Sequence, residues 1–457
     1  MKFETQKLHK EILENLQTLG YEEMTPIQEM SLPIILNGDD LIGQAKTGSG
    51  KTAAFGLGVL NKLDINMAEH QALILCPTRE LAEQVAVELR RLARFTSNIK
   101  ILTITGGTNE AHQLKSLSYG AHIIVGTPGR IFKFLKEDKL VLNKLNSFVL
   151  DEADRMLDMG FYDSIEKIES YLPQERQTLL FSATFPYSIQ DLSKNLQEHP
   201  EFVKVDTNHE ENEIEQYFYK VDGHKEKGKY LIDILAKYQP ESSIIFCKTK
   251  IICDSVAKSL VKEGVYALAL HGDHDQKDRT LTLTKFANGS CPVLVATDVA
   301  ARGLDIKDLS MVINLDLSPD PEVYVHRIGR TGRIGKKGLA VSLYIDQENF
   351  KLDDIREYLS KELDLKELSS LEKEAPFQFK PKMKTLFISG GKKDKLRPGD
   401  IVGAIVGTSG IEDKLIGDIN VLNVLSYVAI DTSVADKVLM GLQAGKIKKR
   451  NFRIGFA

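Results

Sequence analysis

The 457-residue sequence contains no apolar stretch approaching the roughly 18–20 residues that span a bilayer, so no membrane partner is expected. Its first residues, Met1-Lys2-Phe3-Glu4-Thr5-Gln6, lack the apolar core of a secretory signal, and a cytoplasmic location is expected. Cysteine is scarce. Cys76, Cys247, Cys253 and Cys291 are scattered without a Cys-x-x-Cys pair, so buried thiols in a reducing compartment are expected, and neither disulfides nor a structural metal. An excess of positive charge is also missing: the formal net charge is −4, which taken alone speaks against a nucleic-acid partner. Its distribution reverses that reading. From Lys380 to Ala457 there are 14 Lys+Arg against 7 Asp+Glu, a net +7, which leaves −11 on the remainder. An acidic body with a basic tail domain suggests that the tail meets a polyanion.

The chain is too long for one core, and two to four domains are expected. From Lys7 to Leu19 the residues Leu8, Ile12, Leu16 and Leu19 form a helical stripe closed by Gly20. Short apolar runs then alternate with helical patterns: Ala72–Cys76, Ile101–Ile104, His122–Val125, Ser147–Leu150 and Leu179–Phe181 read as strands buried on both faces of a parallel sheet. A polar, acidic stretch at 206–213 reads as a linker. The alternation resumes with Ser243–Phe246, Ala267–Leu270, Val293–Ala296, Met311–Ile313 and Ala340–Leu343, a second sheet without a glycine loop of its own. Beyond a charged linker at 363–382, the last 75 or so residues read β-α-β-β-α-β, which suits an RRM-like fold. The expected domains are therefore 1–206, 213–362 and 383–457.

Two motifs carry chemistry. Ala45-Lys46-Thr47-Gly48-Ser49-Gly50-Lys51-Thr52 follows the candidate strand Asp40-Leu41-Ile42 and opens a helix. Backbone N–H groups there can cradle phosphates, Lys51 can reach β/γ oxygens and Thr52 can ligate Mg²⁺. A hundred residues on, Asp151-Glu152-Ala153-Asp154 follows the buried run Phe148-Val149-Leu150. Asp151 is placed to hold Mg²⁺, and Glu152 is the candidate base for the attacking water. The pair describes a site that holds a nucleotide triphosphate and Mg²⁺ and activates a water against it, at the carboxyl ends of the strands.

With Phe3, the stretch Gly20-Tyr21-Glu22-Glu23-Met24-Thr25-Pro26-Ile27-Gln28 resembles the Q motif of DEAD-box RNA helicases. The phosphate loop, the Asp151–Asp154 box and Ser182-Ala183-Thr184 match motifs I, II and III of that family, and the resemblance covers essentially the whole chain. It implies two tandem RecA-like parallel-sheet α/β domains with ATP and Mg²⁺ as cofactors. It also implies that Tyr21 stacks on adenine, that Gln28 reads its edge, and that Ser182 and Thr184 serve catalysis. His326-Arg327-Ile328-Gly329-Arg330-Thr331-Gly332-Arg333 matches motif VI, in which Arg330 and Arg333 would act as arginine fingers once ATP and RNA close the two lobes. The run from Ala296 to Ile306, with Thr297, Asp298, Gly303 and Asp305, resembles motif V, which bridges RNA and nucleotide.

The same resemblance implies an RNA path. Pro77, Thr78 and Arg79, Gly106 and Gly107, and Thr127, Pro128, Gly129 and Arg130 line it in the first lobe, with Thr249, Gln276 and Arg279 in the second. Such groups suit phosphate and 2′-OH contacts that position a strand without reading it. In the third domain Phe387 and Tyr427 can present stacking aromatics. Leu425 and Ser426 depart from the RRM pattern, and basic loops with Lys392, Lys393, Arg397, Lys448 and Lys449 offer another grip. Gly390 to Ile401 resembles the C-terminal domain of the DbpA subfamily. That implies a monomeric helicase unwinding short duplexes at 23S rRNA in a 50S assembly intermediate. A general cold-shock or RNA-decay helicase, and an ATP-gated RNA clamp, are the alternatives.

Overall fold

The computed structural model describes residues 1–46, 48–205, 214–301, 309–332, 337–371 and 379–457. The expected linker at 206–213 and the site residues Thr47, Gly303, Asp305 and Arg333 lie outside the described residues. Two compact units divide the chain, one carrying the described residues up to 205 and the other those from 214 onward.

In the first unit, strands β1 (Leu41–Gln44), β2 (Ala72–Leu75), β3 (Ile101–Ile104), β4 (Ile123–Gly126), β5 (Ser147–Leu150), β6 (Gln177–Ser182) and β7 (Glu201–Lys204) form one sheet in the order β3-β4-β2-β5-β6-β1-β7. Every pairing is parallel. The two-residue period of a strand sends Ile74, Val149, Leu179 and Phe181 into one core and Leu73, Leu75, Phe148, Leu150 and Leu180 into another on the opposite face. Continuous apolar runs follow from helices on both faces. β5, β6 and β1 are neighbours, so the loops after them share one edge of the sheet.

The second unit repeats the design with β8 (Ile214–Lys220), β9 (Ser243–Cys247), β10 (Ala267–Leu270), β11 (Val293–Thr297), β12 (Met311–Asn314), β13 (Gly338–Tyr344) and β14 (Asp364–Lys366), ordered β10-β11-β9-β12-β13-β8-β14. β7, β8 and β14 escape the sequence reading: β7 and β14 are short and charged, and β8 mixes Glu215, Gln216 and Lys220 with Tyr217, Phe218 and Tyr219. β7 and β14 are edge strands, where charge guards against further pairing. The segment expected as a linker at 363–382 supplies β14 and packs Leu371 and Phe379 into the second core.

Also in this unit, β15 (Met383–Ile388), β16 (Ile416–Val421), β17 (Ser426–Asp431) and β18 (Ile454–Phe456) form an antiparallel sheet ordered β16-β17-β15-β18. Helices Pro398–Ser409 and Ala435–Ala444 complete the expected β-α-β-β-α-β order. Leu386, Ile388, Val428 and Ile430 face the helices and make the core. No helix among the described residues is long and apolar enough to cross a membrane.

Candidate nucleotide site and nucleic-acid surfaces

β1 runs into the glycine loop, and helix Lys51–Lys62 begins directly after it. Gly48 and Gly50 have φ of +85° and +97°, a left-handed backbone that glycine adopts without steric cost. A Cβ at Gly50 would also lie 2.6 Å from Gln28 Nε2. The turn therefore has two independent reasons for glycine. Gln28 donates to Gly50 O at 3.1 Å and accepts from Thr25 N at 2.9 Å, so it both caps its own helix and braces the loop. Lys51 is buried, its ammonium donating to Ala45 O. Thr52 stands half-buried in the first turn, Lys46 and Gly48 are exposed, and the Ser49 hydroxyl is buried without a hydrogen-bond partner.

Four charged groups after β5 are buried together: Asp151, Glu152, Asp154 and Arg155. Burial first, then the Glu152 carboxylate, pushes Asp151 up to about 7. Burial also draws Lys51 below the usual lysine range, against the pull of Asp151, Glu152 and Asp154. Glu152 sits at φ 52°, ψ 51° as the residue that opens helix Ala153–Asp158. Its carboxylate faces Arg155 at 3.1 Å in an ion pair whose angles make no hydrogen bond. Asp154 Oδ2 accepts from Ala183 N, Thr184 N and the Thr184 hydroxyl, each at 3.1 Å. Ser182 Oγ accepts from Asp154 N at 3.3 Å. The carboxylate box and Ser182-Ala183-Thr184 are thus one hydrogen-bonded body. The roles of Asp154 and Arg155 are not legible from sequence, because their partners are set by strand order and a helical turn.

Near the N-terminus, Phe3 is a core residue whose ring meets Tyr21 edge-on at 6.1 Å. Tyr21 donates to Glu88 at 2.9 Å and lies under Arg91, 5.7 Å from the ring centre; burial and Glu88 push its phenol up to about 12. A buried Asn15, which no sequence motif marks, donates to Arg91 O and Leu92 O at 2.9 and 2.7 Å and ties the first helix to the end of helix Arg79–Leu92.

In the first unit Arg79 packs on the turn after β3: a Cβ at Gly107, whose φ is +67°, would lie 1.7 Å from its guanidinium, and one at Gly106 would lie 3.6 Å away. Thr78 caps helix Arg79–Leu92, accepting from Leu81 N at 3.2 Å, with Pro77 buried before it. Thr127 and Pro128 open helix Pro128–Lys136, Gly129 is exposed, and Arg130 donates to Gln113 at 3.0 Å.

In the second unit Arg327 is a structural tie. It donates to both oxygens of Asp298 at 2.6 Å and to Asn314 Oδ1 and Asp316 O at 3.0 and 2.7 Å, with its guanidinium 5.0 Å from the Phe246 ring centre. That binds the loops after β11, β9 and β12 into one piece. The carboxylate of Asp298, expected on RNA, is engaged by Arg327; Thr297 is half-buried beside it. Arg330 is buried, and both it and His326 have partners within the protein. Thr249 caps helix Lys250–Lys262, and Gln276 and Arg279 share the first turn of helix Gln276–Ala287.

The third sheet corrects one expectation. Phe387 and Tyr427 are directly opposed across β15 and β17, but Tyr427 is only 3% exposed and unavailable to stack on a base. The sheet lies against the second RecA-like domain. Thr385 Oγ1 accepts from Asn288 Nδ2 at 3.0 Å and donates to Ser290 Oγ at 2.8 Å, and Lys285 donates to Ala457 O at 2.5 Å. Burial, then Asp278, raises the Tyr427 phenol. Elsewhere in the domain Lys392, Lys395, Arg397 and Lys448 line a cleft of about 630 Å³ with Leu396, Pro398 and Val421. Lys393 and Lys449 are exposed outside that lining.

Comparisons with known proteins identify families along the whole chain. The family described as DEAD/DEAH box helicase matches residues 25–192, the helicase conserved C-terminal domain matches 226–335, and the DbpA RNA binding domain matches 385–455. The ATP-dependent RNA helicase DbpA of Escherichia coli K12 is 49% identical over 448 residues, covering 97% of this chain and 96% of the relative. An ATP-dependent RNA helicase CshA of Listeria monocytogenes is 45% identical over 79% of this chain and 69% of its own length. Among solved structures, S. cerevisiae Dbp5 bound to RNA and ADP BeF3 is 33% identical with a TM-score of 0.73, covering 81% of this chain and 96% of that one.

Proposed function

Since the chain belongs to the DEAD-box ATP-dependent RNA helicases of the DbpA subfamily, we propose that it pries apart short RNA duplexes and that its C-terminal domain directs it to 23S rRNA in a maturing 50S particle. It would act in the cytoplasm as a monomer. The observation that carries the catalytic part is the buried cluster of Lys51, Asp151, Glu152 and Asp154 at the carboxyl edge of the first sheet.

Lys51 and the N–H groups of the glycine loop take up charge on the β/γ oxygens of ATP. Glu152 orients the water that attacks the γ-phosphorus and receives its proton; the bond to the β–γ bridging oxygen breaks, and ADP and phosphate leave. Asp154, holding Ala183 and Thr184, transmits changes at the phosphates to the Ser182–Thr184 segment. Thr52 and Asp151 would hold Mg²⁺, which when bound neutralises charge on the phosphate oxygens. The fit is chemical: these are hard oxygen donors, and a buried carboxylate pushed up to about 7 gains most from a nearby cation. Arg330 is assigned to the γ-phosphate through the family motif.

Glu152→Gln is expected to keep ATP and RNA binding and to abolish turnover; near-full RNA-stimulated ATPase activity in that variant would remove the base assignment. For targeting, steady-state ATPase activity is compared with large-subunit rRNA, small-subunit rRNA and poly(A) at one fixed salt. Selective stimulation by large-subunit rRNA is expected. Equal stimulation by all three would keep the helicase and remove the rRNA assignment.

A further inference from the structure

Asp254, His271 and His274 come together at the edge of the second sheet. Asp254 lies in the first turns of helix Lys250–Lys262, His271 directly follows β10, and His274 precedes helix Gln276–Ala287. Nε2 of His271 is 3.0 Å from Asp254 Oδ1, and the two imidazole centres are 4.1 Å apart. One potential ligand atom from each of the three residues lies within 4.8 Å of the others. His271 is 4% exposed, and the Nδ1 atoms of both rings are buried with no hydrogen-bond partner. A buried ring nitrogen without a partner is costly; on His274 it leaves a lone pair for an ion, while His271 would offer Nε2, the nitrogen beside Asp254.

We propose that Asp254, His271 and His274 bind a divalent transition metal of the Zn²⁺ class. Two imidazoles and one carboxylate suit that class, with a fourth position left for water, whereas Mg²⁺ prefers an all-oxygen set. The Asp254 side chain is 44% exposed, which leaves a path for the ion to enter. Cysteine spacing gives no hint of this site, because all four cysteines are buried as free thiols and none belongs to it. Occupancy ties helix Lys250–Lys262 to the turn that leads into helix Gln276–Ala287, so the bound ion stiffens the edge of the sheet that carries Gln276 and Arg279.

The test uses the full-length chain, stripped with a chelator and kept reduced. Equilibrium dialysis against Zn²⁺ is expected to give one ion per chain at low micromolar free metal. Co²⁺ as a probe is expected to give visible ligand-field bands without the near-ultraviolet band of a cobalt–thiolate bond. His274→Gln and Asp254→Asn should each weaken binding by about 10-fold or more, and Zn²⁺ should raise the unfolding temperature of the parent but not of either variant. Two substitutions at partly exposed positions keep the test usable if one of them impairs folding. The proposal falls if no Zn²⁺ is retained, if both variants bind as the parent does, or if the cobalt spectrum shows thiolate ligation.

Discussion

At the scale of single residues, the nucleotide site holds groups in conditions they would not choose alone. Glu152 occupies a left-handed backbone that costs a non-glycine residue about 1–3 kcal/mol. Asp151 holds its proton up to about pH 7, against an ordinary value of 3.8. Because the folded value is the higher one, this group favours folding at low pH, and that contribution is lost as pH rises from about 4 to about 7. The shift sets an upper bound of about 4 kcal/mol. Asp151→Asn should therefore raise the unfolding temperature of the nucleotide-free chain, by several degrees at pH 8 and by much less at pH 5. Calorimetry at both pH values checks this; a pH-independent difference would mean the carboxylate is not shifted. The gain in stability should come with loss of ATPase activity.

Elements bring these residues together through their ends. Helix Arg79–Leu92 starts after β2, and the Gly106-Gly107 turn follows β3; the two meet where the Arg79 guanidinium fills the space a side chain at Gly107 would need. Gly107→Ala thus strains a positive φ and displaces Arg79. It should raise the RNA concentration needed for half-maximal ATPase stimulation several-fold while leaving ATP affinity unchanged. RNA titration of ATPase activity with nucleotide binding measured alongside decides between this and general unfolding, which would lower both. The motifs are legible in the sequence because strands and loops alternate regularly; the glycine-on-arginine packing is not, because Arg79 and Gly107 are separated by a whole helix and strand.

On the scale of the molecule, the C-terminal domain has its sheet against the second RecA-like domain and its basic cleft on other residues. Thr385→Val removes the hydroxyl shared by Asn288 and Ser290 and leaves buried polar groups unsatisfied, which destabilises by about 1–3 kcal/mol. Denaturant unfolding of the second unit's probes should register it. Replacing Lys395, Arg397 and Lys448 by Ala should lower affinity for the large-subunit rRNA and reduce the steepness of its salt dependence by about one for each phosphate no longer neutralised. Tyr427→Leu, checked to be folded, should leave rRNA affinity unchanged, and a marked drop would return the stacking role to the sheet. Deleting residues 383–457 should leave weak, unselective RNA stimulation of the ATPase.

What the sequence determined by itself was whatever local chemistry and short periods encode: the parallel strands with apolar residues on both faces, the glycine loop, the carboxylate box, and the β-α-β-β-α-β order of the last domain. Edge strands β7 and β14 stayed hidden because exposed pairing needs no apolar pattern. Tertiary structure alone decided how residues far apart in the chain were used. It placed Asp154 on Thr184, committed Arg327 to Asp298, and gathered Asp254 with two histidines. It also buried Tyr427, because a side chain on the outer face of a sheet is exposed or covered according to what packs there, and that depends on another domain.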